Sequence, residues 1–270
     1  MATTLERKTR PGKFVWFEHA SRDSKRAQDF YREVLGWKTE RWQGGYDMIM
    51  VGETPESMIG GYRQLEAPNE IPHWISYVSV EDVDLAAKEA AVHGGKVLEE
   101  PHEIPGVGRT ARIRDPQGAE LYFFHNAAGD PPDPSTHGEP RARYFFWNEL
   151  HTNDPASALS FYGQVLGYAH QTMTNLGPGN DYHVLSRDGV GRGGVSDKLS
   201  KDESHGAPHW LPYVAVDDAD AVLARAKELG AKVHAGPYDI PGVGRMGVIE
   251  DPTGAVLAVM KASPPTGKSA

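Results

Sequence analysis

Two carboxylates and two imidazoles recur in matched surroundings along this chain, and they are the residues best suited to chemistry. Glu18 follows Trp16 by two in Phe14-Val15-Trp16-Phe17-Glu18-His19, and Glu149 follows Trp147 by two. His73 opens His73-Trp74-Ile75-Ser76-Tyr77-Val78, and His209 opens His209-Trp210-Leu211-Pro212-Tyr213-Val214. A Glu and a His brought to one cleft can act as general acid and base, or can supply donors to a metal. Each also has a plainer use: the imidazole caps a strand end, and the carboxylate meets a backbone amide or an arginine. The chain contains no cysteine. Thiolate catalysis, disulfides and cysteine metal sites are therefore excluded together.

The segments that must position these groups occur twice. His73, Ile104-Pro105-Gly106-Val107-Gly108-Arg109 and Asp115-Pro116-Gln117-Gly118-Ala119 each reappear 136 residues later, at His209, Ile240 to Arg245, and Asp251 to Ala255. Three blocks at one displacement indicate an internal duplication. Phe14 to His19 has the composition of a strand. A helix is expected next, with Asp23 as N-cap, Ala27, Phe30, Tyr31, Val34 and Leu35 at helical spacing, and Gly36 as C-cap. Strands at Lys38 to Trp42, Tyr46 to Gly52 and Met58 to Leu65 complete a βαβββ unit. The order repeats from Pro72: a strand at Trp74 to Val80, a helix at Val83 to His93, and strands at Val97 to Glu103, Arg109 to Arg114 and Glu120 to His125.

Asn126 to Pro140 holds four prolines and almost nothing apolar beyond alanine, the composition of an exposed linker. The expected division is a first domain at 8–127, a linker at 128–140 and a second domain at 141–263. In the second half, Tyr144 to His151 repeats the first strand, Asp154-Pro155 caps the third helix, Ala219 to Leu229 forms the fourth, and Met260 ends the last strand. Leu176 to Asn180 and Ser200 to Gly206 read as lengthened loops. Trp74 and Trp210 have the opposite strand parity to Ile75 and Leu211, so they are expected to pack under helices. Each half is expected to carry its own core, so that residues 1 to 130 fold alone.

Composition narrows the partners. The 270 residues are 39% hydrophobic and 24% charged, with a formal net charge of −9. The acidic balance lacks a basic stripe and argues against nucleic acid. No apolar run reaches the ~18 residues of a membrane helix, and Met1 to Lys13 lacks the apolar core of a signal peptide. A cytoplasmic protein with no membrane partner, monomeric or homodimeric, is expected. The Ile-Pro-Gly-Val-Gly-Arg loops match no phosphate-loop pattern; Arg109 and Arg245 are expected to brace acidic neighbours, the alternative being contact with an anionic ligand.

Four βαβββ units, with Phe30-Tyr31-x-x-Val34-Leu35-Gly36-Trp37 and Phe161-Tyr162-x-x-Val165-Leu166-Gly167-Tyr168 after capped helices and D-P-x-G-A before the last strands, resemble the vicinal oxygen chelate superfamily. That superfamily includes glyoxalase, bleomycin-resistance and extradiol dioxygenase proteins, and the tandem glyoxalase-like subgroup common in actinobacteria is similar over nearly the whole chain. The resemblance implies an α+β fold of two tandem domains, each a curved sheet of two βαβββ units around a cleft. Carried over residue by residue, the metal-ligand positions fall on Trp16 and Trp147, on Ile75 and Leu211, and on Tyr122 and Ala258, with Gly60-Gly61 and Gly193-Gly194 near the fourth. The usual metal set is absent from both halves, so no metal and no cofactor is expected, and methylglyoxal isomerisation through a metal-bound enediolate is not expected either.

Residues two positions from those sites share their strand face. This places Glu18, His73, Tyr77 and Glu120 in the first cleft, and Glu149, His209 and Tyr213 in the second. Glu18, His73, Glu149 and His209 are the candidate catalytic residues. Trp16, Ile75, Tyr77, Tyr122, Trp147, Leu211 and Tyr213 are the candidate ligand-binding residues, forming an apolar slot with polar anchors; core packing is the alternative for the two indoles. Two functions remain open. One is a bleomycin-resistance-like protein that binds a small apolar or aromatic metabolite or antibiotic, held first against Trp16 and less strongly against Trp147. The other is a lyase or isomerase using a Glu/His pair or a shifted metal site.

Overall fold

The structure is a computed structural model, which describes residues 8–67, 70–133, 140–174, 181–197, 199 and 206–264. The first half comprises β1 (Phe14–Ser21), α1 (Ser24–Leu35), β2 (Lys38–Arg41), β3 (Asp47–Met50), β4 (Met58–Gln64), β5 (His73–Ser79), α2 (Val83–Val92), β6 (Lys96–Ile104), β7 (Gly108–Arg114) and β8 (Glu120–Asn126). The second repeats it with β9 (Phe145–His151), α3 (Pro155–Leu166), β10 (Ala169–Met173), β11 (Tyr182–Arg187), β12 (Val190–Ser196), β13 (His209–Ala215), α4 (Ala219–Glu228), β14 (Lys232–Ile240), β15 (Gly244–Glu250) and β16 (Val256–Ala262).

Each half closes its own eight-stranded sheet, in the orders β2-β3-β4-β1-β5-β8-β7-β6 and β10-β11-β12-β9-β13-β16-β15-β14. The two βαβββ units of each half join where β1 pairs antiparallel with β5, and β9 with β13. The first helix follows its sequence signals: Asp23 accepts from the Arg26 amide, Gly36 takes the left-handed conformation at φ 68°, and Ala27, Phe30, Tyr31, Val34 and Leu35 are its buried face. Two of the expected loop insertions, at Leu176 to Asn180 and Ser200 to Gly206, lie outside the described residues except for Gly206. No described helix is long and apolar enough to cross a membrane.

The expectation of a separate core in each half is corrected. One core packs Phe30, Tyr31, Trp37 and Trp74 against Val214, Leu223, Leu257 and Val259 of the other half. The second packs Val78, Ile113, Leu121 and Phe123 against Leu150, Phe161, Tyr162 and Trp210. The helices of one half thus complete the cores of the other, and the two sheets meet through their helix-bearing faces. Alternation along a strand makes the buried side unavoidable, but it does not say which molecule or half covers it.

The repeated motifs carry this junction. Trp74 Nε1 donates to the Tyr31 hydroxyl at 3.0 Å, which donates to Asp251 of the other half at 3.0 Å. The mirror chain runs from Trp210 Nε1 to Tyr162 and on to Asp115, both again at 3.0 Å. Trp74 and Trp210 therefore lie beneath the helices as their parity requires. The exposed-linker reading is also corrected at its start: Asp130 is 1% exposed and accepts from the Arg10 amide and the Ser79 hydroxyl. Asp133 binds Arg192 of β12 at 2.6 Å and lies 3.5 Å from Lys13, whose ammonium is pushed down by burial and only partly restored by Asp133. Residues 134–139 lie outside the described residues.

Candidate functional site

With one face of each sheet committed to the junction, the helix-free face is left for a ligand. Trp16 and Glu18 on β1, and Trp147 and Glu149 on β9, project there because Phe17 and Leu150 occupy the opposite parity in the shared cores. On the first face Glu18 is 4% exposed and almost enclosed by donors. Arg63 Nε and the Tyr46 hydroxyl each donate to it at 2.8 Å, and the Tyr77 hydroxyl lies 3.5 Å away. Trp16 Nε1 donates to Tyr46 at 3.3 Å. Burial first, and then the Glu18 carboxylate, push Tyr46 and Tyr77 well above the ordinary phenol range, so both remain neutral donors.

The expected Glu18/His73 pair does not form. The β1–β5 register sets Glu18 opposite Ile75 and Ala20 opposite His73, and His73 Nδ1 donates to the Ile71 carbonyl at 2.7 Å. Burial lowers the His73 pKa, assisted by the charges of Arg112 and Arg63 and opposed by the Ile71 hydrogen bond. His73 is thus a neutral strand-end cap, and Glu18 is an arginine-paired anchor. Tyr77 stacks on Tyr122 with centroids 4.4 Å apart, and the Tyr122 hydroxyl donates to Glu99 at 2.9 Å. Ile75 is covered, at 1% exposure.

The second face keeps the skeleton and changes the partners. Trp147 Nε1 donates to the Tyr182 hydroxyl at 2.8 Å, and Tyr182 donates to Glu149 at 3.4 Å. Tyr213 donates to the same carboxylate at 2.8 Å. The imidazole against Glu149 is His151, whose Nε2 lies 3.2 Å from Glu149 Oε1. His209, expected in that place, instead donates from Nδ1 to the Ala207 carbonyl and lies with its ring 5.2 Å from that of His151. Leu211 and Tyr213 join Met246, Val248, Val256, Ala258 and Met260 in an apolar floor, with Trp147 half-buried against it.

Four participants escaped the sequence reading: Tyr46, Tyr182, His151 and Arg63. His151 was legible, since the parity of Trp147 and Glu149 extends to it. The tyrosines were signalled by Gly60-Gly61 and Gly193-Gly194, because glycine inside a strand marks a close approach. A Cβ built on Gly61 would collide with the Tyr46 hydroxyl, and one on Gly194 with that of Tyr182. The positions that the resemblance assigns to a metal do not fit one: indole, aliphatic and glycine positions offer no donors, the Tyr122 hydroxyl is committed to Glu99, and a tyrosine fills the space beside each glycine. Among the described residues no group of three or more His, Asp or Glu is arranged to hold an ion. Gly194→Ala is expected to cost about 1–3 kcal/mol by overpacking and to displace Tyr182 from Glu149. Urea unfolding would read the first effect, and a loss below about 0.5 kcal/mol, the range of an ordinary surface change, would refute the close approach.

Arg109 and Arg245 are braces, as expected: Arg109 binds Asp84 through Nε at 2.6 Å and Nη2 at 2.7 Å, and Arg245 binds Asp220 and Asp239.

Comparison with known proteins agrees with this architecture. CFP32 of Mycobacterium tuberculosis, named as a glyoxylase, is 32% identical over 265 residues, spanning 94% of this chain and 97% of its own. The anthracycline biosynthesis protein DnrV of Streptomyces peucetius is 30% identical over 270 residues, spanning 93% and 94%. The crystal structure of the Mn(II)-bound glyoxalase from Novosphingobium aromaticivorans superposes with a TM-score of 0.66 at 18% identity, over 94% of this chain and 83% of that one. The 2,3-dioxygenase LapB from Pseudomonas sp. KL28 gives 0.61 at 15% identity, over 98% and 97%. At these identities the two solved structures speak for the fold alone. The profile of the family itself matches residues 13–123 and 145–259, so the chain belongs to the Glyoxalase/Bleomycin resistance protein/Dioxygenase superfamily.

Proposed function

We propose that the protein binds a small, largely apolar or aromatic metabolite on the helix-free face of its second half, without the metal site usual in the superfamily. The observation that carries this reading is the apolar floor of Leu211, Met246, Val248 and Met260 beside Trp147 and the tyrosine-held Glu149. An apolar cluster edged by a half-buried indole and one polar anchor suits a ring system bearing a hydroxyl or carbonyl. Similarity to a protein named for anthracycline biosynthesis supports an aromatic polyketide as the ligand class. The emphasis moves from Trp16 to Trp147, because the face around Trp16 is crossed by ion pairs.

The test is a fluorescence titration with 1,8-dihydroxyanthraquinone as probe. Trp147→Ala is expected to weaken binding by roughly tenfold or more, since aromatic contact contributes on the order of 0.5–1.5 kcal/mol beyond the burial also lost. A variant that melts lower but binds equally well would make Trp147 a core residue and end this reading.

A second reading, a lyase or isomerase working by acid–base catalysis, is favoured by the contact between Glu149 and His151. The carboxylate would orient the imidazole, and the imidazole would move the proton of a bound substrate. Turnover with a pH profile abolished by His151→Asn, with binding retained, is its signature.

A further inference from the structure

The duplication supplies an internal comparison of what the fold requires and what one face has added. At matched positions the first half carries Glu99, Arg112, Arg114 and Glu120 where the second carries Ala235, Val248, Glu250 and Val256. Arg63 on β4 corresponds to Ser196 on β12, since Gly61 and Gly194 both pair with the strand-one glutamate. The same sheet therefore closes over an apolar floor in one half and over a charged lattice in the other. Enclosing charge costs desolvation energy that well-packed apolar side chains do not incur. The second half closes the same sheet without such a lattice, so the charges are particular to the first face, with Arg112 and Glu120 largely covered and Glu99 and Arg114 exposed.

Most of its charges neutralise one another. Arg112 donates to Glu120 through Nη2 at 2.6 Å and approaches Glu99 at 3.3 Å, and Arg114 also binds Glu120. Arg63 is likewise paired, through its Nε with Glu18, but its Nη2 is enclosed without a hydrogen-bond partner among the described residues. Its side chain remains 30% exposed. A guanidinium fixed along one edge presents its remaining donors in the planar spacing that matches a carboxylate. Trp16 and Tyr77, both largely buried and the latter stacked on Tyr122, stand on the same face beside it.

We propose that the helix-free face of the first half binds an aromatic carboxylate, with Arg63 as the anion anchor and Trp16 and Tyr77 as the ring contacts. The two faces of the duplicated chain then differ in ligand class, and this site stands independently of the apolar site around Trp147.

Calorimetric titration of the full chain with 2-naphthoate tests it, with neutral 2-naphthamide as control. The wild type is expected to bind the carboxylate at least tenfold more tightly than the amide. Arg63→Gln should remove that preference and leave the weak amide binding in place. Arg63→Lys keeps a charge beside Glu18 but loses the fork, so it should also bind naphthoate at least fivefold more weakly while remaining folded by melting temperature. Trp147→Ala should leave naphthoate affinity unchanged even where it abolishes anthraquinone binding. Absence of naphthoate binding, equal affinity for acid and amide, undiminished affinity in both Arg63 variants, or loss of naphthoate binding in Trp147→Ala would each overturn the assignment.

Discussion

Asp251→Ala is expected to destabilise the protein by about 3–5 kcal/mol where His19 is protonated, the loss typical of removing one partner from a buried ion pair. Asp251 Oδ2 lies 2.7 Å from His19 Nε2, and both side chains are 0% exposed. The same carboxylate accepts from Tyr31 of the other half and, through Oδ1, from the amides of Thr253 and Gly254. Asp115 makes the corresponding bonds to Tyr162 and to the amides of Gln117, Gly118 and Ala119. It has no histidine, because Leu150 stands where the first half has His19. Asp115→Ala should therefore cost less, about 1–3 kcal/mol, the price of buried donors left unpaired. Urea unfolding of the two variants in parallel checks the order, and equal losses would show that His19 contributes nothing.

The two aspartates should also diverge with pH. Burial acts to raise Asp251, but His19 and Thr253 more than offset it and hold its pKa below the ordinary carboxylate value. Its contribution is present above a pH of about 4 and is lost as pH falls through the folded value. At Asp115 burial prevails over its hydrogen bonds and the pKa is raised, so the native state binds the extra proton and its contribution weakens as pH rises through that window. Acid unfolding of Asp251→Ala should accordingly show a shallower dependence on pH than that of the wild type.

The second large effect concerns the isolated halves. Residues 8–133 expressed alone are expected not to form a stable fold, although among the described residues no strand is exchanged between the sheets. Separation would expose Phe30, Trp37 and Trp74 on one side and Val78, Leu121 and Phe123 on the other, all now covered by the second half. It would also strand Tyr31 and His19 without Asp251. A soluble product with a cooperative unfolding transition would contradict this. Mixing both halves and recovering the transition would support it, because the junction is apolar and reciprocally hydrogen-bonded.

Much of the architecture was legible in the order of residues. The displacement of 136 between matched blocks declared the duplication, and capping by Asp23 and Gly36 with apolar spacing between them placed α1. Period-two alternation put Trp16 with Glu18, and Trp74 beneath a helix. These are local consequences of backbone geometry, and a single chain segment is enough to determine them. The family resemblance likewise rested on contiguous motifs.

What the tertiary structure decided is which side chain meets which across distances that no motif spans. The tyrosine of each F-Y helix and the aspartate of each D-P-x-G turn were recognisable separately, yet only docking of the halves joined Tyr31 to Asp251 and Tyr162 to Asp115. The partners of the two glutamates were decided in the same way. Arg63 reached Glu18 from the parallel neighbouring strand, while at Glu149 the corresponding contact comes from His151, which stands where the first half has Ala20 and pairs with Ser196. Strand parity assigns a residue to a face, but sheet register and the residue on the adjacent strand determine its chemistry. The duplicated sequence therefore encoded one charged and one apolar face in its substituted residues, and sheet register decided which of those residues meet.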